Sequence, residues 1–598
     1  MKQKSFNTFL YYTKFFSRTL SWKFPTFLFV SLTAGLSEGF GFFLLIPLLS
    51  QSKILISDDF FLNSVIRRIF QFFNLEISTN NVLLLMFIMF TMNALLKGCQ
   101  NVFRIYIAST IKREWKNKIL SLCYSLEYQY FINNRTGHFS NIIIKEVERA
   151  VGAFSLFCSV IISIINIAIY LFFSAFLSWK LTTACLLLGI ISVLFIKKLF
   201  HLTSQYSSKT TSCNSLLQEN LIQMLHSFKY LKATSCFNKL QNKLTSIINT
   251  MFTLEMKQGV VIWILKTLLE LSVIWLVLVV IFYQVSIQGD DISSIMVIVM
   301  FFYKTMRQIN VFPARWNGFL SNSGGLFAVE SLFKDLHQNT ERVNGVHIQN
   351  IDSGIKLINV DFYYGEKQIL YNINMTIKKN QTIAFIGESG AGKSTSIDLI
   401  SGILKPNSGS ITINNIDYSS IDLHTLREKI GYVTQEIIVY NDTIANNVSL
   451  WDQSLTENEK LNKIKDSISK AHCEDFILAN EKGYNASIGD RGVKLSVGQR
   501  QRISIARELY KDVELLLFDE ATSALDTKSE QYIQQSINEL KHSMTIILIA
   551  HRLSTIKNCD YIYVFGKGKI IEEGSYTHLY NNTDSIFRQM CEMQSFAE

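Results

Sequence analysis

Three stretches of this chain bring phosphate-handling residue types together at fixed spacing. The segment "QTIAFIGESGAGKSTSIDLISGIL" reads as an apolar strand, a glycine-rich turn and a helix start, and it satisfies G-x-x-x-x-G-K-[ST] with Gly387, Gly392, Lys393 and Ser394. Such a turn lets backbone N–H groups, here from Glu388, Ser389, Gly390 and Ala391, close around phosphate oxygens, while the helix start at Lys393–Thr395 favours negative charge. Lys393 is expected to reach the terminal phosphates of a nucleotide and Ser394 to ligate Mg²⁺. The second stretch, "ELLLFDE", is apolar until it delivers Asp519 and Glu520. Asp519 suits a Mg²⁺-coordinating acid, and Glu520 is placed to polarise an attacking water as general base. Paired acids also occur as a plain solvated strand end. The buried-looking strand before them and "ATSALD" after them favour the catalytic reading. The third stretch, "KLSVGQRQRISIARELY", is a polar loop running into a basic helix, a second anion-facing helix start in the same domain.

The elements that must carry these residues follow from how the apolar residues are distributed. The 598-residue chain is 48% hydrophobic and holds 44 Phe, too apolar for a wholly soluble protein. Long apolar runs fill the first 320 or so residues, and short strands and amphipathic helices follow from about residue 350. A membrane span needs about 20 mostly apolar residues. Six stretches qualify: Pro25–Ser50, Asn81–Ala108, Ala153–Ser178, Leu181–Leu202, Gly259–Tyr283 and Ser294–Leu320. The formal charge of +10 does not point to nucleic acid, because its placement follows the positive-inside pattern. Basic residues crowd the N-terminus (Lys2, Lys4, Lys14, Arg18, Lys23) and the loops Lys112–Arg149 and Lys209–Lys257, whereas the short loop ending in Asp290 and Asp291 is acidic. An even number of spans returns the chain to the cytoplasmic side, where the phosphate-binding half belongs. The nine Cys are scattered without CxxC or metal-ligand spacing and read as reduced thiols. This organisation predicts a membrane domain over residues 1–330, a polar linker over 331–353 and a nucleotide-binding domain over 354–598.

Motifs in this order resemble the ATPase domain of an ATP-binding cassette (ABC) transporter, and six spans fused ahead of one cassette resemble a half-size ABC exporter over essentially the whole chain. The resemblance implies an α-helical six-span transmembrane domain plus an α/β P-loop ATPase with a parallel core sheet, an antiparallel β subdomain and a helical subdomain. "LSVGQ" (Leu495–Gln499) is similar to the family signature, with Ser496, Gly498 and Gln499 in its phosphate-facing positions. Gln435 in "GYVTQE" matches the Q-loop, a catalytic and Mg²⁺-side position; Asp526 in "SALD" matches the D-loop and His551 in "IAHRLS" the H-loop. Tyr364, or its neighbour Tyr363, occupies the position that stacks on adenine. In this family the signature loop caps the nucleotide held by a second cassette. The resemblance therefore implies a homodimer with two composite ATP sites, ATP and Mg²⁺ as cofactors, and no nucleic-acid partner. Val497 departs from the pattern by standing where a glycine is common, and a β-branched residue there restricts the backbone. The loops "YQYFINNRTGHFSNIIIKEVERAV", with Phe131–Gly137 near its tip, and "ENLIQMLHSFKYLKATSCF" resemble the two intracellular coupling segments of exporters.

The leading function is thus an ATP-driven exporter or flippase, moving an amphipathic substrate (lipid-linked or peptide-like) out of the cytoplasm across a bacterial inner membrane. An ATP-gated receptor or channel and a soluble ABC ATPase acting on nucleic acid or ribosomes are the alternatives, the latter opposed by the six spans. Glu38, Lys266, Glu270 and Lys304 lie within or near apolar stretches, where each charge costs about 2.5–3.5 kcal/mol at mid-membrane unless it faces a wet cavity. Lys266 and Glu270 are four residues apart and share a helix face. They either neutralise one another or line a substrate cavity in which Glu270, with Glu38, meets a cationic or polar substrate.

Overall fold

The computed structural model describes residues 2–50, 78–134, 136–179, 182–183, 202–203, 205–206, 209–210, 212–225, 227–282, 292–341, 345–520, 526–550 and 552–595. The chain divides into two compact units, Met1–Cys123 with Thr136–Asp335, and Tyr124–Arg135 with Leu336–Glu598.

The first unit is helical. Its principal elements are Lys2–Leu20, Lys23–Phe43, Thr79–Tyr124, Val147–Leu177, Phe237–Phe282 and Ile292–Gln338. Among the described residues, Lys23–Phe43, Thr79–Tyr124 and Phe139–Leu177 are long and apolar enough to cross a membrane. The expected first span breaks at Leu44, with a short second helix Leu45–Ser50. The expected fifth and sixth spans lie on Phe237–Phe282 and Ile292–Gln338, apart from Tyr283, and the fourth falls almost wholly outside the described residues. At 46 residues, Thr79–Tyr124 and Phe237–Phe282 are each about 69 Å long at 1.5 Å per residue, roughly twice the hydrocarbon thickness of a bilayer. These helices therefore carry well past the membrane.

Lipid tails are as apolar as leucine, so helices in a bilayer associate through close packing and polar contacts rather than through the hydrophobic effect. Both devices are present. A Cβ on Gly39 would lie 2.3 Å from the Phe173 ring, and one on Gly325 would lie 2.8 Å from both the Ala150 nitrogen and the Glu146 carbonyl oxygen. Lys23–Phe43 and Thr79–Tyr124 are stitched by four polar bonds: Ser37 to the Met89 carbonyl (3.1 Å), Asn93 to the Ala34 carbonyl (2.7 Å), Gln100 to Ser31 (2.7 Å) and Lys97 to Glu38 (2.7 Å). Lys2–Leu20 is held by aromatic contacts, with Phe16 against Phe154 and Phe157 and Tyr12 edge-on to Phe319.

The second unit contains two sheets. A four-stranded antiparallel sheet has the order β2-β1-β4-β5, with β1 Ile355–Tyr364, β2 Lys367–Ile377, β4 Ser408–Ile413 and β5 Ile416–Asp417. A six-stranded sheet has the order β10-β9-β3-β8-β7-β6. Its strands are β3 Thr382–Gly387, β6 Ile430–Val433, β7 Leu515–Phe518, β8 Thr545–Ile549, β9 Tyr561–Gly566 and β10 Lys569–Gly574. Every pairing from β9 to β6 is parallel, and β10 is antiparallel. Strands β7 and β8 are buried along their whole length, as a parallel sheet covered on both faces requires. Alternate residues feed separate cores: Leu516, Phe518, Ile546 and Leu548 on one face, Leu515, Leu517, Ile547 and Ile549 on the other. The helix Lys393–Ile400 packs into the second core and Val497–Leu509 into the first. This is the expected parallel core sheet with an antiparallel β layer and added helices. Residues Tyr124–Arg135 join this unit through backbone bonds from Glu127 to the Asn339 carbonyl (2.9 Å) and from Glu341 to the Ser125 carbonyl (2.7 Å).

One acid lies, half-buried, against the second core. Asp398 accepts a hydrogen bond from the Tyr432 hydroxyl at 3.0 Å, and burial, assisted by the charge of Asp519, pushes its carboxyl up to about 6 from an ordinary value of 3.8. A carboxyl whose folded-state value is raised binds more protons folded than unfolded, so stability falls as pH rises from about 4 to about 6. We expect Asp398→Asn to remove up to about 3 kcal/mol of that loss. Chemical denaturation of both proteins at pH 5 and pH 7.5 checks it: the stability difference between variant and parent must grow towards pH 7.5, and parallel curves would exonerate Asp398. The helix contacts give a second expectation. Gly325→Ala should destabilise by about 1–3 kcal/mol because backbone atoms cannot move aside. Gly98→Ala, with nothing within 4 Å of the new Cβ, should instead stabilise by about 0.5–1 kcal/mol. Thermal melts of the two variants in the same membrane mimetic must shift in opposite directions.

Candidate active site

The phosphate loop follows β3 directly. Gly392 caps the helix Lys393–Ile400 with φ of +100°, and a Cβ there would lie 2.4 Å from Leu370, so both the turn and its packing demand glycine. The Lys393 ammonium lies inside the loop, donating to the Gly387 carbonyl at 2.7 Å and the Glu388 carbonyl at 2.9 Å. Burial holds it below its ordinary value against the opposing pull of Glu520 and Asp519. Glu388, Ser389 and Gly390 form the exposed rim of the loop, while Ala391 and Thr395 are buried beneath it. Ser394 donates to Asp519 Oδ1 at 3.0 Å, which links the loop to the end of β7.

Asp519 is tied in turn to the end of β6, its N–H donating to the Val433 carbonyl at 2.9 Å. Glu520 adopts φ of +51°, an uncommon conformation for a non-glycine residue and one that recurs at functional sites. Its carboxylate accepts a hydrogen bond from Gln435 Nε2 at 2.7 Å. The structure thus brings Lys393, Ser394, Gln435, Asp519 and Glu520 to the carboxyl edge of the parallel sheet, the edge on which such sheets bind ligands. His551 lies outside the described residues. Ala550, immediately before it, donates to the Phe385 carbonyl at 3.1 Å, so β8 runs to the same edge. Of the two tyrosines, Tyr364 is the one whose hydroxyl lies near Thr395 of the phosphate-loop helix; Tyr363 is held by its N–H donating to Asn407 at 2.8 Å.

Ser496 caps the helix Val497–Leu509 through a reciprocal pair, accepting from the Gln499 N–H at 3.2 Å while Gln499 Oε1 accepts from the Ser496 N–H at 3.0 Å. Val497 is the first residue of that helix. A β-branched side chain fits a helical backbone, so the expected restriction is met without a left-handed turn. Gly498 is the glycine that the packing needs, since a Cβ would lie 2.1 Å from Ser529 Oγ. Ser529 also binds Asp526, the cap of the helix Thr527–Leu540, its N–H donating at 3.2 Å. Among the described residues no hydrogen bond or ion pair joins Ser496, Gly498 or Gln499 to the phosphate loop.

Sequence reasoning missed Arg507. Its buried guanidinium donates to the Asn447 and Ile438 carbonyls, both at 2.8 Å, and lies over the Tyr440 ring. It fastens the signature helix to the chain that leaves Gln435. A charged residue in an otherwise buried helix face of "ISIARELY" is the signal that marks it. Also unforeseen were the partners of the residues just ahead of the first coupling segment: Tyr124 bonds His424 Nε2, and Glu127 pairs with Lys405 at 2.6 Å.

In the helical unit, Glu38 is buried and bound by three donors: Lys97 at 2.7 Å, Lys304 at 2.9 Å and the Tyr170 hydroxyl at 2.8 Å. Lys304 also lies over the Phe42 ring. Glu270 is exposed and lines neither of the two cavities beside Glu38, and the Lys266 side chain lies outside what is described.

Residues 370–523 match the ABC transporter family. The chain is 30% identical to an ATP-dependent lipid A-core flippase of Desulfotalea psychrophila, covering 79% of this chain and 83% of that protein. It is 29% identical to the heterocyst differentiation ATP-binding protein HepA of a Nostoc species over 78% of this chain and 76% of the relative. A solved structure of a bacterial Atm1-family ABC exporter with ATP bound superposes with a TM-score of 0.73 at 21% identity, covering 97% of this chain and 99% of the other. A helical unit with apolar membrane-length helices joined to a phosphate-loop sheet, with relatives that match both halves, has one reading: the chain belongs to the ABC transporters, as a half-size ABC exporter and transport ATPase.

Proposed function

We propose that this integral membrane exporter works as a homodimer with two composite ATP sites, its N-terminus and cassette in the cytoplasm of a bacterium. Closure of the cassettes on ATP drives the switch between inward- and outward-facing states and moves an amphipathic substrate, lipid-linked or peptide-like, out of the cytoplasm. The observation that carries the reading is the pair of contacts Ser394–Asp519 and Gln435–Glu520 at one sheet edge, in a cassette whose signature cap is bonded elsewhere.

Each residue has a role on this reading. Lys393 and the N–H groups of Gly387–Thr395 hold the phosphates, and Tyr364 stacks on adenine. Glu520 accepts the proton of the attacking water, with Gln435 fixing its carboxylate and His551 steadying the γ-phosphate. Ser496, Gly498, Gln499 and Asp526 face the nucleotide of the second copy. The adjacent hard oxygens Ser394 Oγ and Asp519 Oδ1 fit Mg²⁺, which takes one or two protein oxygens plus phosphate and water, and Gln435 would supply a further oxygen on the Mg²⁺ side. Ser394 and Asp519 would hold an ion there whose charge would offset that of the phosphates.

The coupling segments support two copies. Only the start of the first, up to Arg135, groups with its own cassette, whereas the second, with the helix Phe228–Ala233, groups with the membrane unit and leaves Phe228 and Tyr230 exposed. A second copy would cover that surface.

Glu520→Gln is expected to retain ATP binding and lose about 10²–10⁴-fold in hydrolysis, the usual range for a lost general base. Turnover by the purified variant close to the parent rate would remove Glu520 from the role. The composite site is tested by mixing chains. A heterodimer of Lys393→Ala with Ser496→Ala puts both lesions in one site if signatures act in trans, leaving the other whole. We expect vanadate to trap nucleotide in that heterodimer but in neither variant homodimer. A heterodimer that traps none would mean each signature serves its own cassette.

A further inference from the structure

We propose that the two cavities beside Glu38 form one binding site for the headgroup of an anionic amphiphile, an oxyanion (phosphate or carboxylate) on an apolar tail. The amphiphile rests on the exporter reading above; the sign of the charge rests on geometry alone.

The cavities measure about 300 and 260 Å³ and share Lys97, Asn166 and Arg315, so they adjoin. Five cations line them: Lys97, Arg104, Lys304, Arg307 and Arg315. Glu38 is the one acid among the lining residues, and its two oxygens are already taken by Lys97, Lys304 and Tyr170. Among the described residues the three arginines have no carboxylate partner. Arg104 donates to Ser159 Oγ at 2.9 Å, and Arg315 donates to Ser163 Oγ at 2.5 Å and to the Ser159 carbonyl at 3.2 Å. Two guanidiniums therefore converge on one turn of the helix Val147–Leu177 and meet only neutral oxygens. Arg307, on Ile292–Gln338, forms no ion pair among the described residues.

A charge kept for structure alone is paired, as Glu38 is, because an unpaired charge in a low-dielectric setting is costly. Five cations gathered around a single acid raise that cost further. A bound anion removes both penalties, and guanidinium forks match the paired oxygens of phosphate and carboxylate. Ser31, Gln100 and Asn166 add neutral polar groups to the same walls. The expected cationic or polar substrate, met by Glu38 and Glu270, has the wrong sign for this site: Glu38 is already satisfied and Glu270 lines neither cavity.

The test uses the full-length protein in phosphatidylcholine nanodiscs without nucleotide. Probes share a dodecyl chain and end in a phosphate monoester, a carboxylate, an alcohol or a trimethylammonium; inorganic phosphate is the fifth. Binding is read by thermal shift and by intrinsic fluorescence titration. Both anionic amphiphiles should bind at least about 10-fold more tightly than the alcohol and the ammonium probe. The double variant Arg104→Gln/Arg315→Gln should lose that preference, and Arg104→Lys/Arg315→Lys should keep most of it. Equal or tighter binding of the ammonium probe overturns the inference, and so does a preference unchanged in the Gln variant. Inorganic phosphate binding as tightly as dodecyl phosphate also overturns it, since the ligand would then be a soluble ion. If the Gln variant fails to fold, the charge preference of the unmutated protein decides alone. ATP turnover is measured in the same preparation: anion preference without turnover upholds the site while overturning the exporter reading.

Discussion

The hydrogen bond from Ser394 to Asp519 joins the ends of two strands that are not neighbours, because β8 lies between β3 and β7. Strands in a sheet are about 4.8 Å apart, so the phosphate loop must reach across nearly 10 Å at the sheet edge. That reach is possible only if all three strands run parallel and finish level. The fully buried strands β7 and β8, and the two cores fed by their alternate residues, secure that register. A slip of one residue would turn Asp519 away from the edge and put Glu520 in its place. The uncommon backbone at Glu520 belongs to the same constraint: the chain must turn at once after Asp519 so that consecutive acids serve different partners, Ser394 and Gln435.

What the sequence made legible was what short spacing encodes. The glycines, lysine and serine of the phosphate loop are consecutive, and the acids of β7 end an unbroken apolar run, so both the parallel sheet and the reacting edge could be read from two short segments. The helical unit was legible only as spans. Glu38 is partnered by Lys97 and Lys304, 59 and 266 positions away, whereas spacing drew notice to Lys266 and Glu270 because they are four apart. Helical periodicity assigns a charge to a face and says nothing about which distant helix supplies its counterion. Val497 is a lesson of another kind. Measured against a glycine-rich motif it looked restrictive, but the position it fills is the first turn of a helix, while the steric demand falls on Gly498 through a serine in another helix.

Two sets of contacts divide the cassette's internal connections. Arg507 binds the segment beyond Gln435 to the signature helix, and Gln435 itself binds Glu520. A displacement at Gln435 is therefore shared between the reacting edge and the helix that begins at Ser496. On the other side, the segment Tyr124–Arg135 meets the cassette at His424 and Lys405, and Arg427 grips Glu341 with two bonds at 2.7 and 2.9 Å. The chain entering the cassette from the last long helix is thus anchored beside the first coupling segment.

The 46-residue helix Phe237–Phe282 has a mechanical consequence. A rod about 69 Å long that pivots near its middle is a lever with arms of about 35 Å and a mechanical advantage close to one. A tilt of about 10° then sweeps each tip through about 6 Å, comparable with one helical turn. Travel imposed at one tip reappears undiminished at the other, provided the rod does not bend. An apolar stretch at one arm and a polar stretch at the other would convert small rotations on the wet side into strokes of similar length among lipids, with little energy lost to flexure.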